Sequence, residues 1–187
     1  IIFIYVIQRK TIKTKKDIRQ ELNLETIAVI PKITQKKRTT ATDQKLTIAS
    51  QNVSSIFSES FRVMRNVFLA SLEDDEKIVM ATSSVPGEGK TTVITNLALS
   101  LSENGKKVLL VDIDPQGNTT SGIGLSKNEL GNTSYEVMVE DNIDPRTAIV
   151  PTCVENLDII PSSTLMSSME YELFAKWQRE FILKKAL

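Results

Sequence analysis

Hydrophobic and polar positions change rhythm several times along this chain of 187 residues. It opens on an unbroken apolar run, Ile1-Ile2-Phe3-Ile4-Tyr5-Val6-Ile7, followed at once by Gln8-Arg9-Lys10 and then by Lys13, Lys15 and Lys16. Seven residues cannot cross a bilayer, which takes about 20. With basic residues behind it, the run reads either as the cytoplasmic end of a membrane span that begins upstream or as a buried strand. Thr14 is placed to cap a short helix through Asp17-Ile18-Arg19-Gln20-Glu21-Leu22, and Thr26-Ile27-Ala28-Val29-Ile30-Pro31 predicts a strand stopped by proline. Residues 32–55 are polar, rich in Lys, Thr, Gln and Ser, and read as a linker. Its Lys36-Lys37-Arg38 run is either a solvated face or a contact for acidic lipid or nucleic acid.

Helical spacing returns with Phe57, Phe61, Met64, Phe68 and Leu72, which fall on one stripe, with Ser58 as the expected cap. Glu59, Arg62 and Arg65 follow at intervals of three along its flank. Lys77-Ile78-Val79-Met80-Ala81-Thr82 predicts a strand, residues 90–103 a helix stopped by Asn104-Gly105, and Lys107-Val108-Leu109-Leu110-Val111-Asp112 a strand buried on both faces. Strand, helix, strand in that order predicts a right-handed βαβ unit. A polar loop at 115–122, a short helix near 135–139, a strand at Leu157–Ile160 ending at Pro161, and helix from about 165 to 187 complete the pattern. The fold expected is α/β, a mostly parallel sheet with helices on both faces. Residues 1–31 form a small N-terminal piece, 32–55 the linker and 56–187 the α/β domain.

Composition narrows the chemistry. There is no histidine and Cys153 is the one cysteine, which excludes disulfide frameworks, zinc sites and Ser-His or Cys-His catalysis. Catalysis must then rest on carboxylates, lysine, hydroxyls, backbone donors and a bound metal. The zero net charge hides a split: residues 1–50 carry eleven Lys and Arg against four Asp and Glu, and the remainder twelve against nineteen. A basic arm of +7 suits an anionic surface, membrane or nucleic acid.

Between the predicted strand and helix lies Ser83-Ser84-Val85-Pro86-Gly87-Glu88-Gly89-Lys90-Thr91-Thr92. Gly87 and Gly89 permit backbone conformations closed to other residues and leave room for a phosphate. Pro86, Gly87, Glu88, Gly89, Lys90, Thr91 and Thr92 thus make a candidate phosphate loop, with backbone N–H groups and a helix N-terminus facing the anion. Lys90 would reach the β- and γ-phosphates and the Thr91 hydroxyl would bind Mg²⁺. Ser84 stands six residues before the lysine, where the usual loop has its first glycine. Asp112 and Asp114 emerge at the carboxyl end of the second strand, the edge where open α/β sheets bind ligands. Asp112 is expected in the Mg²⁺ shell, and Asp114 is expected, with Lys90, to serve catalysis by orienting the nucleophile.

Val85-Pro86-Gly87-Glu88-Gly89-Lys90-Thr91 resembles the Walker A loop of the bacterial tyrosine kinases of capsule and exopolysaccharide production. Glu59-x-x-Arg62-x-x-Arg65 is similar to the E-x-x-R-x-x-R helix through which those kinases form rings, which implies an oligomer interface at Glu59, Arg62 and Arg65. Residues 1–32, with Thr11 to Ile18 and Ala28-Val29-Ile30-Pro31, resemble the segment after the last membrane span of the chain-length regulator often fused to them. This resemblance covers residues 1 to about 111. From about Lys106 the chain instead resembles ParA/Soj partition ATPases, in Val111-Asp112-Ile113-Asp114-Pro115-Gln116-Gly117-Asn118, in Val154-Glu155-Asn156-Leu157-Asp158-Ile159-Ile160-Pro161 and in residues 179–187.

Both families lie in the ParA/MinD P-loop superfamily, which implies ATP and Mg²⁺ as cofactors and a homo-oligomer. The kinase resemblance implies protein-tyrosine phosphorylation at the cytoplasmic face of the membrane, with a membrane-embedded polysaccharide chain-length regulator as partner. The ParA resemblance implies an ATPase of the cytoplasm and nucleoid that binds DNA. A nucleotide-binding scaffold without turnover is the third reading. Departures exist on both sides: Gln116 stands where the kinases have arginine, and Val85 where ParA loops carry a signature lysine. No Walker B strand follows Pro161, and the tyrosines are Tyr5, Tyr135 and Tyr171 alone. The domain is therefore expected to be truncated at its C-terminus.

Overall fold

The computed structural model describes residues 12, 14–31, 55–72, 78–83, 85, 87–126, 130–174 and 176–186. The apolar run at 1–7, the linker at 32–54, Ser84 and Pro86 lie outside the described residues. The first helix, α1 (Lys15–Leu22), is capped as its sequence predicts. Thr14 Oγ1 accepts from the Asp17 N–H, and the Asp17 carboxylate accepts from the Thr14 N–H, a reciprocal capping box. Asn23 ends the helix at φ +52°, and residues 24–31 pair in no ladder with another described residue, so the strand expected at 26–31 is not formed.

Helix α2 (Ser55–Ser71) begins three residues before the expected cap, which places Ser58 inside it. Its Phe57 and Phe61 are buried and meet edge to face, with ring centroids 4.9 Å apart. They seat α2 against α3 (Lys90–Glu103), whose middle is buried from Thr95 to Ser100. Asn104 and Gly105 end α3 as predicted, Gly105 at φ +78°, where a glycine is at ease.

Strand β1 (Val108–Val111) pairs in parallel with β3 (Leu157–Ile160), in register Val108 with Leu157 through Val111 with Ile160. A two-residue strand, β2 (Val150–Pro151), adds antiparallel to the outer side of β3, so the sheet is mixed, in the order β1-β3-β2. A proline there is tolerated because an edge strand need not donate on both sides. Successive strand residues face opposite ways, and this sorts the core into two clusters. Leu157 and Ile159 pack with Leu110 under Ala98 and Leu99 of α3. Ile160 faces the other side and packs with Val137 and Ala148. Those belong to α5 (Ser134–Val139), entered after the short α4 (Asn118–Gly122), and to a 3₁₀ turn at Pro145–Ala148. Helical structure therefore covers both faces of the sheet, as expected.

Three further expectations are corrected. Residues 78–83 form no strand: Ile78 is 82% and Met80 77% exposed, and the ladder of β1 runs to β3, not to this segment. A strand exists only through a neighbour's hydrogen bonds, and among the described residues this segment pairs with none, although β1 pairs on one side alone. Nor is β1 buried on both faces, because Leu109 is left exposed opposite the buried Leu110. Finally, the C-terminal helix is broken into a 3₁₀ turn (Thr164–Ser167), α6 (Met169–Phe174), a second 3₁₀ turn (Arg179–Phe181) and α7 (Ile182–Ala186). Ser167 and Ser168 hydroxyls bond the carbonyls of Thr164 and Leu165, which competes with helix continuation, and Gln178 turns the chain at φ +57°. Among the described residues no helix is long and apolar enough to cross a membrane.

Candidate nucleotide site

The phosphate-loop residues stand at the N-terminus of α3. Gly89 is its cap, at φ +89°, and no side chain bonds the helix end. The first N–H groups of any helix lack a carbonyl one turn back, so an end with no capping side chain keeps its donors for an anion. Gly87 lies at φ +83°, and a Cβ at Gly87 or Gly89 would meet nothing within 4 Å, so the concavity above the helix is open. The Lys90 ammonium donates to Ser83 Oγ at 2.8 Å, and that hydroxyl donates to the Val85 carbonyl at 2.9 Å. Glu88 closes the loop by accepting from the Val85 N–H at 3.4 Å. Thr91 and Thr92 occupy the first helical turn, half-buried. An open glycine concavity, an uncapped helix end and an exposed lysine together fit a nucleotide's phosphates.

The acidic pair sits where expected, immediately after β1, but the two carboxylates differ. Asp112 is 3% exposed and already satisfied. Its Oδ2 accepts from the Thr120 N–H and hydroxyl at 2.8 and 2.7 Å, and its Oδ1 accepts from the Asp114 N–H at 3.2 Å. Thr120 Oγ1 in turn accepts from the Ser162 N–H at 3.0 Å, while the Ser162 hydroxyl donates to the Asp114 carbonyl at 2.7 Å. Ser134 ties the same point to α5, its hydroxyl donating to the Asp112 carbonyl at 2.7 Å. Asp112 thus closes a buried network over the carboxyl ends of β1 and β3 and the start of α4. Asp114 is nearer solvent: its oxygens accept from the Gln116 N–H and the Asn118 amide, each at 3.0 Å.

Among the described residues no group of three Cys, Asp or Glu side chains is gathered to hold a metal. Mg²⁺ keeps several waters and takes one or two protein oxygens beside the nucleotide phosphates, so it needs no such cluster. Thr91 and Asp114, half-buried at the surface of the site, supply the oxygens nearer solvent, those of Asp114 already accepting hydrogen bonds, whereas those of Asp112 are buried. Thr120, Ser134 and Ser162 escaped the sequence reading. The signal for Ser162 was there, since it follows β3 at the carboxyl edge where such sheets build sites.

The three residues of the presumed oligomer helix are not equivalent either. Arg62 pairs with Glu59 on the surface of α2, at 3.4 Å. Arg65 turns inward and donates to the Ser100 carbonyl at 3.1 Å and to its hydroxyl at 3.4 Å. Ser100 lies in the last turn of α3, where carbonyls lack intrahelical partners and the helix dipole is negative. Arg65 therefore caps the phosphate-loop helix and fastens α2 to it.

Comparison with known proteins fits this geometry. The family model described as AAA domain, AAA_31, matches residues 76–187, more than half of the chain. The chain belongs to that family. Within this AAA domain family it is a P-loop protein of the ParA/MinD superfamily, with relatives of both kinds. It is 46% identical over 111 residues to the sporulation initiation inhibitor protein Soj of Bacillus subtilis, covering 59% of this chain and 44% of Soj. It is 33% identical over 138 residues to the tyrosine-protein kinase YwqD of the same organism, covering 73% of this chain and 57% of YwqD. The chain thus spans about half the length of these relatives. Among solved structures, cobyrinic acid a,c-diamide synthase from Mycobacterium smegmatis, with bound ADP and magnesium, superposes at TM-score 0.53 and 32% identity over 56% of this chain and 42% of its own. The kinase domain of Escherichia coli tyrosine kinase ETK superposes at TM-score 0.67 over 91% of this chain and 67% of its own. At 21% identity that likeness speaks for the fold alone.

Proposed function

We propose that this AAA domain chain is the ATP-binding module of a membrane-associated bacterial protein-tyrosine kinase of the capsular and exopolysaccharide type. The extent of the likeness to YwqD carries the reading. An alignment of 138 residues does not fit within residues 76–187, so it takes in sequence upstream of the phosphate loop, whereas the Soj alignment spans 111. The structure gives that upstream part a place, since α2 is bolted to α3 through Arg65. In this function Mg-ATP lies over Gly87, Gly89 and the α3 terminus. Lys90 would leave Ser83 for the phosphates, Thr91 would hold Mg²⁺, and Asp114 would orient the attacking hydroxyl. A membrane-embedded chain-length regulator and the cytoplasmic face of the membrane belong to the same proposal, as does self-association through Glu59 and Arg62.

Calorimetric titration of Mg-ATP tests the site. Lys90→Ala should weaken binding by about 10- to 100-fold, the worth of a charge-assisted contact. Asp114→Asn should retain binding and lose transfer of the γ-phosphoryl group to a tyrosine peptide. Equal affinity of wild type and Lys90→Ala would remove the phosphate-loop assignment. The second reading, a ParA-type ATPase, is favoured by the 46% identity to Soj and by Gln116 in the acidic loop. It is the outcome if the chain phosphorylates no tyrosine and forms an ATP-dependent dimer whose affinity for duplex DNA falls steeply with salt.

A further inference from the structure

The ladder between β1 and β3 ends at the Asp112 N–H, which donates to the Ile160 carbonyl at 3.0 Å. Beyond that rung Asp114 enters the loop before α4, and the chain leaving β3 passes through Pro161, which has no N–H to donate. Ser162 bonds across the point where the ladder stops. It is fully buried, and its N–H donates to Thr120 Oγ1 at 3.0 Å. Its hydroxyl donates to the Asp114 carbonyl at 2.7 Å, with the Ser163 carbonyl farther off at 3.4 Å.

Each polar group of Asp114 is tied. Its N–H donates to Asp112 Oδ1, its carboxylate accepts from the Gln116 N–H and the Asn118 amide, and its carbonyl accepts from the Gly117 N–H at 2.7 Å as well as from Ser162. The partners other than Ser162 lie within four residues, so the turn they make can shift as a unit with those bonds intact. Ser162, 48 residues away, is the long-range partner that bonds Asp114 itself among the described residues. Its hydroxyl is not needed to satisfy the Asp114 carbonyl, because Gly117 already donates there. Ser162→Ala therefore leaves that buried acceptor with a donor, and the contribution of the hydroxyl is one of place more than of stability.

We propose, on the reading that Asp114 orients the attacking hydroxyl, that Ser162 is a positioning residue for phosphoryl transfer: it fastens the Asp114 main chain to the end of β3 and so sets where the carboxylate meets the acceptor. In that transfer the acceptor oxygen bonds the γ-phosphorus, the bond from phosphorus to the β–γ bridging oxygen breaks with its electron pair leaving on ADP, and the acceptor proton passes to the Asp114 carboxylate. A step of this kind tolerates little displacement, since an error of about 1 Å costs about 100-fold in rate.

Ser162→Ala should lower kcat for transfer to a tyrosine peptide, or to water, by about 10- to 100-fold, while KM for ATP and the calorimetric Kd of Mg-ATP stay within about twofold. In an Asp114→Asn background the same replacement should change kcat by less than about twofold, because no carboxylate is left to place. Amide hydrogen exchange read by NMR, without nucleotide, gives a second measure. The N–H groups of Asp114, Gln116 and Gly117 should exchange about 5- to 10-fold faster in Ser162→Ala, as loss of one hydrogen bond to the turn allows, and that of Asp112, held in the ladder by Ile160, should keep its rate. The proposal is overturned by a Ser162→Ala protein that turns over like wild type, or whose three turn amides exchange like wild type. It is overturned also by a loss of kcat that comes with an equal loss of Mg-ATP affinity or with faster exchange at Asp112, which would make the serine a structural residue only. A wild type that binds Mg-ATP and transfers no phosphoryl group to peptide or water would overturn the catalytic reading of Asp114, and this role of Ser162 with it.

Discussion

Replacing Asp112 or its partner Thr120 separates a structural carboxylate from a metal ligand. The Asp112 side chain is almost wholly buried and accepts three hydrogen bonds, two of them from Thr120. Hydrogen bonds to a charged group contribute about 1.5–3 kcal/mol each, and a buried donor left without a partner costs about 1–3 kcal/mol. Asp112→Ala strands three donors, two of them on the fully buried Thr120, so it should cost about 3–5 kcal/mol, a large part of the 5–15 kcal/mol of a typical domain. Thr120→Val keeps the shape and the backbone bond but removes the hydroxyl that also accepts from Ser162. It should cost about 1.5–3 kcal/mol, and Thr120→Ser less than about 1 kcal/mol. With a urea slope of about 1–3 kcal/mol per molar, Thr120→Val lowers the unfolding midpoint by about 1 M. Far-UV circular dichroism in urea reads this directly. In parallel, Asp112→Asn should leave the Mg²⁺ concentration needed for ATP binding unchanged. A Thr120→Val midpoint equal to wild type, together with a tenfold rise in the Mg²⁺ requirement of a stable Asp112→Asn protein, would refute the reasoning and return Asp112 to the metal shell.

The remaining predictions rest on single contacts. Arg65→Ala should destabilise the fold by about 1–2 kcal/mol, because it uncovers a helix-end carbonyl and loosens α2, while Arg62→Ala, which loses only an exposed pair, should change stability by less than about 0.5 kcal/mol. Equal urea midpoints for the two variants would contradict the inward role of Arg65. Tyr135 donates its hydroxyl to the Glu172 carboxylate, which raises its pKa above the usual tyrosine value. Because the folded value is the raised one, the stabilisation is fully present below the unfolded pKa and fades as pH rises through the folded pKa. An alkaline ultraviolet titration should show a late tyrosine that Tyr135→Phe abolishes, and a wild-type curve without that late component would argue against the bond.

The linear pattern was enough for several elements whose signal is local. The Thr14 cap, the 3.6-residue stripe of α2, the Asn104-Gly105 stop of α3 and the apolar runs of β1 and β3 appear where their residues predict them. The loop from Gly87 to Thr92 announced its chemistry in the same way, because phosphate binding depends on backbone freedom and one lysine, both written in consecutive residues. Tertiary structure decided what depends on a neighbour. Residues 78–83 have the composition of a strand and remain unpaired, since a strand is completed by another segment's hydrogen bonds and not by its own side chains. Asp112 and Asp114 look alike in sequence, yet one is sealed by Thr120 and the other faces outward, because Ser162, 48 residues beyond Asp114, arrives beside it only when β3 pairs with β1. Arg62 and Arg65 likewise share a motif and part company only when the C-terminal turn of α3 offers Ser100 to one of them. Spacing placed these side chains along the chain, and the packing of α3 and the sheet decided which of them meet water.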